Sequence, residues 1–135
     1  MIVLVILSTI GLVNALALYW QYRLFRQTNR PMFCLIGEDC SRVVGSRYGA
    51  TFGIKNDLLG AVYYAAVIGL AGAAQVFPEL TPTVGRLMVV TIVPAAALSL
   101  YLFYIQARVL RSWCSWCLIG IGLNALMAMV AITTL

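Results

Sequence analysis

Histidine is missing from all 135 residues, and with it go histidine-dependent acid–base catalysis, serine-type triads and most catalytic zinc or haem sites. Charge is also scarce. Four acidic and nine basic side chains make up 10% of the chain, against about 25% in an ordinary soluble domain. What fills the sequence is apolar, 63% by count, where soluble domains hold about 45–50%. This composition argues against a water-soluble globular fold. It also argues against a nucleic-acid-binding surface, because the net charge of +5 is a small surplus on a chain built for lipid. No internal repeat or low-complexity tract is visible, and no polar stretch is large enough for a second, soluble domain.

A bilayer core about 30 Å thick is crossed by roughly 20 apolar residues in helical form. Four charge-free windows of that length are present, approximately 1–20, 58–77, 87–106 and 114–135. The connections after the second and third windows are short, which implies antiparallel neighbours. The expected fold is therefore all-α, an integral membrane four-helix bundle forming one transmembrane domain over 1–135 and acting as a monomer in the lipid bilayer. Ala15-Leu16-Ala17 resembles a signal-peptide cleavage site, but no basic region precedes the apolar run, so the first span is expected to be retained. In the second span, Gly60, Ala61, Ala65, Gly69, Gly72 and Ala73 are expected to form a close-packing face. Pro94 is expected to bend the third locally. The long connection, 21–57, opens with Arg23, Arg26 and Arg30 among Tyr22, Leu24 and Phe25, a mixture suited to the headgroup level. After Pro31 it turns partly apolar, so it is expected to lie on the bundle and cap the active site.

Four cysteines are the obvious reactive groups. Cys34 and Cys40 form C-x5-C in the long loop, and Cys114 and Cys117 form C-x-x-C at the start of the fourth span. In a four-span bundle the first and third loops emerge on the same side, so both pairs meet one membrane face. Two dithiol pairs on one face are what electron relay by thiol–disulfide exchange requires, since each step needs a thiolate within bonding distance of the next disulfide. The first turn of a helix stabilises thiolate, as does the C-x-x-C arrangement itself. Cys117 lies one turn deeper than Cys114, so Cys117 can reach a lipid-dissolved oxidant while Cys114 reaches the loop pair. Two other readings of the same thiols stand beside this one: a four-thiolate metal site, and a pair of structural disulfides stapling a non-enzymatic membrane protein. C-x5-C is not the short knuckle usual in zinc ribbons, and a C-x-x-C closes too small a loop to be a good staple.

The stretch Cys34-Leu35-Ile36-Gly37-Glu38-Asp39-Cys40-Ser41-Arg42-Val43-Val44-Gly45-Ser46-Arg47-Tyr48-Gly49, then Phe52-Gly53-Ile54 and Asn56-Asp57-Leu58-Leu59-Gly60, resembles the vitamin K epoxide reductase family, and the late C-x-x-C completes the pattern. The other quinone-linked family of four-helix disulfide-forming membrane proteins places its C-x-x-C between the first two helices, unlike this chain. The resemblance implies a thiol:quinone oxidoreductase that supports protein disulfide formation. Electrons would enter from a thioredoxin-like partner at Cys40, pass through Cys34 to Cys114, and leave from Cys117 to a quinone of the ubiquinone or menaquinone type. It further implies that Ser46 lies near the C-x-x-C and the quinone, and that Asn56 hydrogen-bonds a quinone carbonyl. Ser46 reads equally as a loop hydroxyl bonding local backbone, and Asn56 or Asp57 as a cap of the second helix. No metal is implied.

The sequence departs from the family pattern at several points. Ile121 stands where animal members carry a tyrosine that contacts vitamin K, and Val44 where they carry a phenylalanine, so reduction of vitamin K epoxide and anticoagulant sensitivity do not follow. Lys55 replaces a proline frequent in prokaryotic members. Many of those members are fused to a thioredoxin-like domain; this sequence holds none, so the partner is expected to be separate. Eight of the nine basic residues fall on the cysteine face, leaving Arg86 on the other. The positive-inside rule then places the active-site face of this multi-pass protein in the cytoplasm, whereas the family usually faces the extracytoplasmic side, where disulfides persist.

Overall fold

The computed structural model describes residues 2–28, 45–51, 53–111 and 113–135. Four long helices dominate: α1 (Ile2–Thr28), α2 (Asn56–Val76), α3 (Thr81–Tyr104) and α4 (Ser115–Thr134). A 3₁₀ turn at Arg47–Gly49 and a two-stranded ribbon, β1 (Ala50–Thr51) with β2 (Ile54–Lys55), precede α2. The strands pair antiparallel, Ala50 with Lys55 and Thr51 with Ile54, and Gly53 turns between them at φ +79°, a conformation glycine adopts without a Cβ penalty. Each long helix is apolar and long enough to cross a membrane, so the molecule is an all-α four-helix membrane bundle. Among the described residues the sheet content is limited to this ribbon.

The helices pack in a ring, α1 against α2 and α4, α3 against α4, and α2 more lightly against α3. Buried positions on α1 recur as Leu4, Ser8, Gly11, Ala15 and Leu18, the three-or-four spacing that keeps one helix face on a partner. On α2 they are Asp57, Ala61, Tyr64, Val67, Ala71 and Ala74. The main core joins Leu4, Val67, Ala71, Met88, Ile92, Met127 and Ala131 in the half of the bundle remote from the C-x-x-C. A smaller cluster, Leu18 and Cys114 with Tyr22, Leu110, Trp116 and Cys117, closes the opposite end.

Several expectations are corrected. Helix α1 does not stop where its hydropathy window closes at Trp20 but continues to Thr28. Nothing from Gln21 to Thr28 breaks a helix, and Pro31 is the first residue that does. Arg23 and Arg26 therefore belong to α1 rather than to a loop, and Arg26 in its last turn complements the C-terminal dipole. The small-residue face of α2 is also misplaced by composition. Ala65, Gly69 and Gly72 are exposed on the chain, and a Cβ at either glycine would meet nothing. The close approach to α1 is made at Gly60, where a Cβ would meet Ala15, and at Tyr64, whose ring lies against Gly11. The third apolar helix starts earlier than Leu87, with Pro78 opening the 3₁₀ turn before it and Pro82 in its first turn.

Candidate active site

The C-x-x-C forms the entry to α4. Cys114 is its N-cap, in extended backbone, and its Sγ accepts the Cys117 N–H at 3.2 Å. A sulfur thus fills the place of the usual capping oxygen, and a thiolate accepts such a bond better than a thiol. The N–H of Cys114 donates to Gln106 Oε1 at 3.0 Å. Gln106 is available because α3 ends in a π-helical turn, Ile105–Val109, closed by the Leu110 N–H on the Ile105 carbonyl. Such wide turns shift the register of the residues they carry, often at functional sites. Arg111 then adopts φ +49°, the left-handed region that non-glycine residues enter at a cost of about 1–2 kcal/mol. From α1, Asn14 Nδ2 donates to the Trp116 carbonyl at 3.0 Å. Two buried amides from different helices thereby hold the cysteine turn from opposite sides.

Cys114 is fully buried, whereas Cys117 opens onto a partly open cavity of about 410 Å³ lined by all four helices. This volume lies in the range of about 300–1,000 Å³ typical of small-molecule sites. Leu18, Leu59, Leu98, Leu102 and Ile121 supply apolar walls. Toward the cysteine end the cavity meets Tyr48, Thr51, Asn56 and Asp57; toward the bundle centre it meets Tyr64, Ser99 and Asn124. These last three form a chain in which Tyr64 Oη donates to Asn124 Oδ1 at 2.9 Å and Asn124 Nδ2 to Ser99 Oγ at 2.6 Å. Ser99 Oγ in turn donates to the Ala95 carbonyl at 2.9 Å. The chain satisfies polar groups that lipid could not, and it floors the cavity.

Asn56 does not cap α2. Its Oδ1 accepts from Thr51 Oγ1 at 2.7 Å, and its Nδ2 donates to the Tyr48 carbonyl at 2.8 Å, so the ribbon and the turn before it fix the amide at the cavity wall. That arrangement spends one of its two amide N–H donors. The adjacent Asp57 is 7% exposed; its Oδ1 accepts the Leu58 N–H at 2.8 Å. Asp57 Oδ2 and Asn14 Oδ1 are both buried with no hydrogen-bond partner among the described residues. Lys55 lies with Nζ 3.3 Å from the centroid of the Tyr22 ring, tying the ribbon to the end of α1. Burial lowers its pKa from the ordinary lysine value, Asp57 opposing the fall and Arg26 adding to it.

Of the residues singled out from sequence, Cys114, Cys117 and Asn56 come together here. Ser46 precedes the 3₁₀ turn, half-buried, and the loop presents Tyr48 and Thr51 to the cavity in its place. Cys34 and Cys40 lie outside the described residues. Among the described residues no cluster of three or more cysteine or acidic side chains could hold a metal ion. Asn14, Ser99, Gln106 and Asn124 were not singled out from sequence, although polar residues within or at the ends of apolar spans are themselves a signal of function.

No curated protein matches the chain significantly. The family model described as the vitamin K epoxide reductase family matches residues 2–132, nearly the whole chain. With four apolar helices and a C-x-x-C opening the last onto a cavity in the bundle, this chain belongs to the vitamin K epoxide reductase family, whose members are membrane oxidoreductases.

Proposed function

We propose that the protein is a thiol:quinone oxidoreductase that oxidises a separate thioredoxin-like protein and so supports disulfide formation. The observation that carries this reading is Cys117 facing a largely apolar cavity while Cys114 Sγ lies one helical turn away at the N-terminus of α4. The cavity suits a lipid-soluble quinone, with apolar walls for the ring and a few polar groups for its oxygens. The oxygens of Asn14 and Asp57 that are buried without a partner among the described residues support this reading, since a ligand would satisfy them. A quinone supplies a two-electron, two-proton sink. Cys114 and Cys117 lose their two S–H bonds and gain one S–S bond; both electrons and both protons leave with the quinone as quinol. Asn56 orients a ring oxygen from the cavity wall, with Thr51 and Tyr48 holding its amide in place. Ser46 supports this loop beside the C-x-x-C. Cys34 then returns electrons to Cys114, and Cys40 receives them from the partner.

The test is single turnover. Pre-reduced protein in detergent is mixed with a short-chain quinone, and free thiols are counted by maleimide mass tagging. Quinone-dependent loss of thiols is expected, two per quinone, beginning at Cys114 and Cys117 and reaching Cys34 and Cys40 as that pair re-reduces the first; in a Cys34→Ala, Cys40→Ala background it stops at the two thiols of Cys114 and Cys117. Cys117→Ala abolishes it, and Cys40→Ala leaves turnover with a small dithiol intact. Equal loss in both variants would overturn the order of the relay, and no quinone-dependent loss in the native protein would overturn the activity.

A further inference from the structure

The Asp57 carboxyl occupies an unusual place. It is buried in the first turn of α2, on the wall of the cavity that Cys117 also lines. One oxygen is anchored, since Oδ1 takes the Leu58 N–H. The other, Oδ2, is buried with no partner among the described residues. An acidic residue in the first turn of a helix gains from the helix dipole, and an exposed carboxylate would gain that without cost. Burial of an unpaired carboxylate oxygen is expensive, so stability alone does not account for this placement.

The chemistry of the cavity supplies an account. Each turnover moves two protons as well as two electrons, inside walls that are mostly apolar. With no histidine in the chain, the titratable side chains on the cavity wall among the described residues are Asp57, Cys117 and the phenols of Tyr48, Tyr63 and Tyr64. Tyr64 commits its hydroxyl hydrogen to Asn124, and the Tyr63 hydroxyl lies against Met127 Sδ at 3.9 Å. Phenols also ordinarily titrate near 10, too high for efficient proton transfer at neutral pH. A carboxyl held at one oxygen and open at the other is the group suited to the task.

Resting on the thiol:quinone reading, we propose that Asp57 is the proton carrier of the quinone step. Its Oδ2 takes the proton released when the Cys117 S–H bond breaks and gives it to the nearer ring oxygen. The second proton comes from Cys114. The two S–H bonds and the quinone become one S–S bond and two O–H bonds, and Asp57 returns to its starting state. Neither dithiol nor quinone requires a further oxidant or reductant.

Asp57→Asn keeps the shape and the Leu58 anchor but cannot carry a proton. In single turnover of pre-reduced protein, it is expected to slow quinone-dependent oxidation of Cys114 and Cys117 by roughly 100-fold or more, the usual scale for loss of a positioned acid–base group. Quinone affinity, read by quenching of Trp116 fluorescence, is expected to stay within about three-fold of native, which is well under 1 kcal/mol. Asp57→Glu should recover much of the rate. The pH profile of the step should lose one ionisation in Asp57→Asn. Lys55 from β2 acts on Asp57 electrostatically, and Asp57 acts on Cys117 from α4, so the same profile in Lys55→Met assigns what remains. A native rate in Asp57→Asn, or a slowed rate matched by an equal loss of affinity, overturns the proton role while leaving the thiol:quinone reading standing. If native protein itself shows no quinone-dependent thiol loss, both fail together.

Discussion

The amide of Gln106 is 2% exposed, and its Oε1 accepts the N–H of Cys114, a donor on a fully buried residue. Water cannot replace that acceptor. A leucine at 106 would fill nearly the same space and leave the N–H unpaired, at a cost of about 1–3 kcal/mol. Gln106→Leu is therefore expected to lower the melting temperature in detergent. It should also raise the rate at which maleimide modifies Cys114 in the reduced protein, because the turn that buries the thiol loosens. Gln106→Glu restores the acceptor and should recover the protection. If Cys114 stays equally protected in Gln106→Leu, the amide contributes no more than packing. Asn14 plays the matching part from α1 by donating to the Trp116 carbonyl. Between them the two amides fix the backbone on either side of Cys114, so the sulfur is placed by polar contacts within an apolar bundle.

The seam between α1 and α2 is set by one missing side chain. A Cβ at Gly11 would collide with the Tyr64 ring, and Tyr64 is 3% exposed with its hydroxyl tied to Asn124 on α4. Gly11→Ala is expected to push the ring aside, break that bond and destabilise the bundle by about 1–3 kcal/mol, the scale of overpacking a filled core. Thermal unfolding in detergent measures it, with Gly69→Ala as the contrast, since a Cβ there meets nothing and its melting temperature should not fall. Composition could not separate these two glycines. The helices themselves are legible because lipid demands long apolar runs, and the parity of four crossings puts the α1–α2 connection and the C-x-x-C at one end. Helix ends are less legible, because hydropathy reports apolarity and α1 stays helical through the polar run Gln21–Thr28. The packing face of α2 follows the periodicity of Asp57, Ala61, Tyr64 and Val67 rather than residue size. The polar chain of Tyr64, Ser99 and Asn124 assembles from three helices, so no spacing within one segment could announce it.

Charge at the level of the whole molecule bears on which side of the membrane the cysteine end faces. Among the described residues, the cysteine end carries Arg23, Arg26, Arg47, Lys55, Arg108 and Arg111, while the other end carries Arg86 with Glu79. Two of these cations are engaged locally: Lys55 against the Tyr22 ring, and Arg47 over the Tyr48 ring with a 2.6 Å hydrogen bond to its hydroxyl. Setting both aside leaves Arg23 and Arg26 at the end of α1 and Arg108 and Arg111 beside α4. All four lie close to the ends of spans, where basic residues govern insertion and acidic ones count for little. Against a lone Arg86, that asymmetry predicts a cytoplasmic active-site face, opposite to the one disulfide chemistry usually favours. Intact cells treated with a membrane-impermeant maleimide after mild reduction should leave the loop cysteines unlabelled until lysis. A cysteine placed by Arg86→Cys in a cysteine-free background should label in intact cells. The reverse pair of results would place the site outside, and would mean that these arginines serve lipid headgroups or the docking partner rather than setting the direction of insertion.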